Sequence, residues 1–278
     1  MRKIDLASPV VKWVGGKRQL LERLMPLFPD TYTSYCEPFI GGGAVLFALQ
    51  PENVIINDIN SELIGVYQAI KDNVDALIKR LEQFENTKEC FYDVRGWDRN
   101  AAVYNELTDI DKAARVIFLN KTCYNGLYRV NSAGEFNTPF GRYKKPNIVN
   151  ESTLRAVNKY FNTANVTILN TSYSEAVQGL PENSFVYLDP PYDPISVTAS
   201  FTGYNAGGFS REDQIALRDC CQNLDAAGIK FMLSNSATEF IQDIYSEFNI
   251  TIVPAKRAIN SIGSKRGCVD EVVVRNYE

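Results

Sequence analysis

The tetrapeptide Asp189-Pro190-Pro191-Tyr192, directly after the apolar run Phe185-Val186-Tyr187-Leu188, constrains the fold of this chain more than any other feature. A short apolar run closed by a turn signal reads as a strand buried on both faces, the habit of parallel sheets. Two successive prolines end it, because neither can donate to a strand ladder and both fix φ. An aspartate is thereby left at a strand's carboxyl end, the edge at which open α/β sheets bind ligands. Pro190 adds a rigid backbone carbonyl and Tyr192 a flat aromatic face. Two acceptors beside a stacking platform suit an exocyclic amino group on a planar ring.

A second constellation lies near the start. Tyr35-Cys36-Glu37-Pro38-Phe39 reads as a short strand and Ile40-Gly41-Gly42-Gly43 as a tight loop; residues 44–49 read as a helix and Val54-Ile55-Ile56 as a strand ending at Asn57-Asp58. Strand, glycine loop, helix, strand, acid is the layout of a nucleotide-binding βαβ unit, although the loop is not G-x-G-x-x-G. Its glycines let backbone approach a ligand closely, and Asp58 stands where a ribose diol would be gripped.

The remaining periodicity extends this α/β pattern. Helices are expected over residues 18–28, 61–85 (capped at Asn60 or Ser61), 88–103, 109–124, 210–227 and 237–248, and strands over 166–169, 229–233, 250–253 and 270–275. Residues 124–146 break the helical pattern with aromatics, asparagines and basic residues around a turn at Ser132-Ala133-Gly134. A sheet-forming domain over 1–59 and 161–278 is therefore split by a mostly helical insert over 60–160. Residues 195–208, which contain Gly203, Gly207 and Gly208, are a candidate lid.

Composition removes whole classes of chemistry. There is no histidine among the 278 residues, which excludes a Ser-His-Asp triad, an HExxH zinc site and histidine acid–base catalysis. Cysteines 36, 90, 123, 220, 221 and 268 have no metal-type spacing and read as reduced thiols, so no metal is expected. The amino terminus lacks an apolar signal segment and nothing approaches a membrane span, so a cytoplasmic protein is expected. Net charge is −4, yet residues 112–147 carry +6 and residues 254–268 carry +4, which leaves −14 on the rest. Two basic zones on an acidic body fit an electrostatic footprint for phosphate.

Seven ordered markers, Lys12-Trp13-x-Gly15-Gly16-Lys17, Glu37-Pro38-Phe39-x-Gly41-Gly42-Gly43, Asn57-Asp58-x-Asn60, Asn125-Gly126-Leu127-x-Arg129, Phe136-Asn137-x-Pro139-Phe140-Gly141-Arg142-Tyr143, Asp189-Pro190-Pro191-Tyr192 and Phe201-Thr202-x-Tyr204, span nearly the whole chain. In them the chain resembles the Dam-type DNA adenine-N6 methyltransferases, in which the cofactor motif comes first, then the recognition insert, then the catalytic motif. The resemblance implies a Rossmann-like, S-adenosyl-L-methionine-dependent methyltransferase sheet with an inserted DNA-recognition domain. It implies methyl transfer to the N6 of a flipped adenine in double-stranded DNA, commonly in GATC. Asp189, Pro190 and Tyr192 are the implied catalytic residues. Trp13, Lys17, Phe39, Gly41, Gly43, Asp58, Ile59, Tyr173 and Asp189 are the implied cofactor site. Lys12, Tyr124, Asn125, Leu127, Arg129, Pro139, Arg142, Tyr143, Lys144 and Lys145 are the implied DNA contacts. Many relatives place an acid before the aromatic at 173; here it is Ser172.

The residues agree with that chemistry. A sulfonium methyl donor is already activated, so neither a protein nucleophile nor a metal is needed. A cytosine-C5 enzyme would need a nucleophilic cysteine after proline, and no Pro-Cys pair occurs. A methyltransferase acting on a protein amide nitrogen would share the catalytic strand, typically with asparagine at 189, but would leave the basic aromatic insert unexplained. A DNA-binding protein without catalysis would leave the intact Asp189, Tyr192 and glycine motifs unexplained.

Overall fold

The computed structural model describes residues 3–195, 208–256 and 268–278. All but the ends of the candidate lid, the Phe201-Thr202-x-Tyr204 marker and most of the basic zone 254–268 lie outside the described residues.

Strands β1 (Ser34–Glu37), β2 (Asn53–Asn57), β3 (Asn165–Leu169), β4 (Ser184–Leu188), β5 (Lys230–Ser236), β6 (Asn249–Lys256) and β7 (Cys268–Arg275) form one sheet in the order β3-β2-β1-β4-β5-β7-β6. Neighbours from β3 to β5 are parallel, whereas β7 runs antiparallel to both β5 and β6. This is the α/β methyltransferase-type sheet expected from the sequence. The chain leaves β1 in one direction and β4 in the other, so the topological switch point lies between these two strands. Cys36 of β1 pairs with Ile55 on one side and Val186 on the other, which aligns the carboxyl ends of β1, β2 and β4.

Strand β4 is buried at every residue. Its alternation feeds two cores: Phe185 and Tyr187 join one, Val186 and Leu188 the other. The first core also takes the apolar faces of helices Ala44–Leu49, Ser61–Leu81, Asp109–Thr122 and Glu151–Thr163; the second takes Arg211–Ala226 and Ile241 of Glu239–Ile244. Burial on both sides is why β4 reads as an unbroken apolar run.

Several helices differ from expectation for local reasons. Residues 18–28 form the short turns Lys17–Gln19, Leu21–Leu24 and Met25–Leu27, since Pro26 cannot donate within a helix. Helix Ser61–Leu81 begins at Asn60, whose Oδ1 accepts the Leu63 N–H at 3.0 Å, but it stops four residues early and is kinked at Asn73 (φ −151°, ψ 64°). There the Asn73 side chain accepts the Ala76 N–H, offering the backbone a local alternative. Residues 88–103 split at Asn100, whose Oδ1 accepts from Ala102 and Val103 and starts a new helix. Helix Glu151–Thr163 was not anticipated, although Leu154, Val157 and Phe161 have helical spacing. It packs beside Ser61–Leu81, where Asn158 Nδ2 donates to the Ile70 and Lys71 carbonyls, and Lys71 Nζ donates to Val166 O of β3.

Candidate active site and recognition surface

Asp189 leaves the end of β4 half-buried, and burial decides its electrostatics. Its carboxyl is pushed up to about 6, chiefly by loss of water and further by the nearby Glu271 charge, against the opposing Lys17 cation and Tyr192 hydroxyl. Lys17, 4% exposed, places Nζ 2.7 Å from Asp189 Oδ1 and 4.6 Å from the centre of the Tyr192 ring, and it also donates to the Gly15 carbonyl at 2.8 Å. The Tyr192 hydroxyl donates to Glu271 Oε2 at 2.7 Å. Glu37, at the end of β1, is pushed well above the usual carboxylate range by burial and secondarily by Asp189, while the Tyr35 hydroxyl and the Leu46 N–H oppose the shift. Three carboxyls thus gather at this edge, each with its own partner: Asp189 with Lys17, Glu271 with Tyr192 and Glu37 with Tyr35.

The loop after the two prolines is pinned from below. Gln214 Nε2 donates to Pro191 O at 2.8 Å, Asn235 Nδ2 donates to Gln214 Oε1 at 3.0 Å, and Asn235 Oδ1 accepts the Asp193 N–H at 3.0 Å. Buried Asp193 pairs with Arg211. Pro190 is itself buried, so its carbonyl is set in a rigid frame.

Asp58 lies on the same edge at the end of β2. Its Oδ2 accepts the Gly41 N–H at 3.1 Å and its Oδ1 the Asn60 N–H at 3.0 Å, while burial raises its proton affinity. Each oxygen keeps a second lone pair for a ribose hydroxyl. Gly41 (φ +46°) and Gly43 (φ +72°) both need the left-handed region; a Cβ at Gly41 would reach Trp13 Cδ1 at 3.1 Å, and one at Gly43 would strike the Phe47 ring at 2.8 Å. The Tyr67 hydroxyl donates to Gly41 O at 2.7 Å. Phe39 and Tyr173 stack at 5.3 Å with Phe209 against their edges, and Ile59 is 57% exposed beside Asp58. Ser172 caps the short helix Tyr173–Ala176. An acid, a glycine cradle and an apolar aromatic surface form a donor set that fits a nucleoside-type cofactor.

The predicted DNA contacts gather around the turn Tyr124–Gly126. Asn125 (φ +58°) donates its N–H to the Tyr143 hydroxyl at 3.0 Å, and the Tyr124 N–H donates to Pro139 O at 2.8 Å. The Thr138 hydroxyl donates to Leu127 O at 2.6 Å. Arg129 is exposed, with Nε donating to Asn137 Oδ1 at 2.6 Å. Isolated bridges Cys123–Phe140 and Val130–Phe136 close the expected hairpin-like loop. Lys12, Tyr124, Arg142, Tyr143, Lys144 and Lys145 are exposed along it.

A family model described as D12 class N6 adenine-specific DNA methyltransferase matches residues 13–259. This chain belongs to that family. It is 44% identical over 277 residues to a type II methyltransferase of Lactococcus lactis subsp. cremoris, covering 99% of this chain and 97% of that protein. It is 42% identical to a type II methyltransferase of Methanocaldococcus jannaschii, covering 97% and 99% of the two chains. The DNA adenine methylase of Escherichia coli K12 is 33% identical over 95% of this chain and 93% of its own.

In this D12-class methyltransferase the sequence markers contain Glu37 and Asn57 without assigning either a role, and they do not include Glu271 or Asn120. Glu37 had a visible signal, an acid at a strand's end before proline, and Glu271 is an acid entering the run Val272-Val273-Val274. Asn57, 1% exposed, donates Nδ2 to the Pro38 and Thr171 carbonyls and accepts the Thr171 N–H, joining the ends of β1, β2 and β3. Its place in the Asn57-Asp58-x-Asn60 marker is the local signal, and the distant carbonyls that it joins are not visible there. Among the described residues no cluster of His, Cys, Asp or Glu could hold a metal, and no helix is long and apolar enough to cross a membrane.

The raised Asp189 proton affinity provides a test of the catalytic role expected of it. With the ionised carboxylate as the working form, kcat/KM should rise with pH through an inflection near pH 6. Glu271→Gln removes a neighbouring negative charge, so the inflection should move to lower pH. A pH–rate series decides it; a flat profile across that range would overturn the assignment. The sign for stability is opposite: the folded state holds this proton more tightly, so the Asp189 contribution is present below its unfolded value and lost as pH rises through about 6.

Proposed function

We propose that this D12-class methyltransferase transfers the methyl group of S-adenosyl-L-methionine to N6 of an adenine flipped out of double-stranded DNA, within GATC. One observation carries the reading: Asp189 and the Tyr192 ring together already receive a nitrogen, the Lys17 Nζ at 2.7 Å and 4.6 Å. The exocyclic amine of adenine is neutral, but it too offers N–H donors to a carboxylate, and its flat ring offers a face to Tyr192.

That amine is a poor nucleophile because its lone pair is delocalised into the ring. Asp189 and the Pro190 carbonyl accept hydrogen bonds from its two N–H groups, favour rehybridisation at nitrogen and stabilise the positive charge that develops there until one N–H proton is lost to solvent. Tyr192 receives the ring face, which requires the base to leave the duplex stack. When bound, S-adenosyl-L-methionine supplies a methyl group already activated on a sulfonium. Asp58 would hold its ribose, and the Gly41–Gly43 loop with Trp13, Phe39, Ile59 and Tyr173 would hold the rest of it. Lys17 orients the Asp189 carboxylate from the side of Gly15.

DNA is held by the insert together with Lys12 of the amino-terminal segment. Arg129 reads guanine, Leu127 and Pro139 meet a thymine methyl, Tyr124, Asn125, Tyr143 and Lys12 line the opened site, and Arg142, Lys144 and Lys145 neutralise phosphates. The catalytic domain comprises 1–59 and 161–278 and the recognition insert 60–160, with helix Ser61–Leu81 and all but the last three residues of Glu151–Thr163 as its base against β3.

Incubating the protein and cofactor with a mixed DNA pool and mapping methylation base by base tests the proposal. N6-methyladenine confined to GATC is the expected result; methylation of protein amides instead, or of adenine elsewhere, would overturn the substrate or the site. The cofactor assignment has its own test. Asp58→Ala should weaken S-adenosyl-L-methionine binding by about 1–3 kcal/mol, the scale for losing a hydrogen bond to a charged group. Unchanged affinity in calorimetric titration would leave Asp58 only the task of joining the glycine loop to helix Ser61–Leu81.

A further inference from the structure

Asn120, in the last turn of helix Asp109–Thr122, is 1% exposed and spends its amide on two distant pieces of backbone. Its Oδ1 accepts the Lys12 N–H at 2.8 Å, and its Nδ2 donates to the Lys12 carbonyl at 2.8 Å and to the Gly126 carbonyl at 3.0 Å. An amide can both accept from and donate to one backbone residue, as a neighbouring strand would; a carboxylate or hydroxyl of the same size cannot make this set. Gly126 belongs to the turn Tyr124–Gly126 that carries the proposed base-reading residues. Its backbone lies so close to Lys12 that a Cβ there would meet Lys12 Cδ at 2.6 Å.

Lys12 opens the segment that ends at Lys17 on Asp189. Between them, Trp13 stacks on Tyr128 of the insert at 4.8 Å and packs against the backbone of Gly41 and Gly42. Residues 12–17 therefore touch the recognition turn, the glycine loop and the catalytic carboxylate. Asn120 is the polar fastening at the recognition end.

We propose that Asn120 is a positioning residue that couples seating of the recognition turn on DNA to placement of Lys17 and Asp189. A correct sequence holds the turn in one position, Asn120 carries that position to the backbone of Lys12, and the 12–17 segment delivers it to the catalytic carboxylate. Specificity is then exerted in the methyl-transfer step as well as in binding. The inference rests on the adenine methyltransferase reading.

The test uses the full chain with Asn120→Ala and Asn120→Asp; the latter keeps the acceptor for the Lys12 N–H and turns both donated bonds into repulsion. The unsubstituted protein is assayed first, and absence of adenine methylation would defeat the functional reading itself. For each variant, kcat and KM are measured on the preferred duplex and on duplexes with single-base substitutions, alongside S-adenosyl-L-methionine affinity and thermal unfolding. Cofactor affinity should stay within about twofold, kcat on the preferred duplex should fall at least tenfold, and the kcat ratio between preferred and substituted duplexes should shrink at least fivefold. If Asn120→Ala does not fold, Asn120→Asp carries the comparison. A folded variant that keeps kcat and the kcat ratio, or one that changes only KM, would overturn the coupling.

Discussion

Asp189→Ala is expected to lower kcat for methyl transfer by about 10²–10³-fold, the scale for deleting one group aimed at developing charge in a dry site. Duplex affinity should change far less, because all the proposed DNA contacts but Lys12 lie on the insert. The substitution also strands Lys17, whose Nζ sits 2.7 Å from the carboxylate and is only 4% exposed, and an unpaired buried charge is costly. Asp189→Asn separates the two effects: it retains an acceptor for Lys17 and loses the charge that favours a cationic nitrogen. Both variants should be assayed in single turnover and by duplex titration, with melting temperatures beside them. A loss of less than tenfold in kcat for Asp189→Ala would remove Asp189 from its principal role.

The second large effect concerns base reading. Arg129 and Lys145 are both basic and exposed in the insert, yet their surroundings differ. Asn137 holds Arg129 Nε at 2.6 Å, and the Arg129 carbonyl accepts the Asn137 N–H at 2.9 Å, so the guanidinium fork is set on a fixed backbone. Such a fork matches guanine O6 and N7. Arg129→Ala should cost about 1–3 kcal/mol on the preferred duplex and relax discrimination at one base pair. Lys145 lies beside exposed Arg142 and Lys144 and should touch phosphate. Lys145→Ala should weaken all duplexes alike and reduce the slope of log affinity against log salt by about one. Titrating both variants on GATC and on each singly substituted duplex over a salt series tests the assignment. Uniform loss for the arginine variant with altered base preference for the lysine variant would reverse the two roles.

What a strand and its terminating residues declare locally was legible without tertiary structure. Strand β4 is apolar throughout because both faces are covered, and its prolines stop it whatever it packs against. The glycine loop is equally local, since Gly41 and Gly43 adopt φ values that other residues rarely tolerate. Helix ends were less legible. Asn73 and Asn100 turn their side chains onto nearby backbone, and an asparagine inside a helical pattern does not announce when it will do so.

The type of sheet, the acid left at its carboxyl edge and the glycine cradle are each properties of a few adjacent residues, and the exclusion of histidine chemistry is a property of composition alone, so all four are readable from the chain. Which distant groups complete the site depends on how the elements pack. Glu271 reaches Tyr192 across 79 residues because β7 inserts antiparallel beside β5, and Asn120 reaches Lys12 across 108 residues because helix Asp109–Thr122 ends beside the amino-terminal segment. A buried polar side chain needs a partner, and periodicity shows that need without showing which distant backbone meets it.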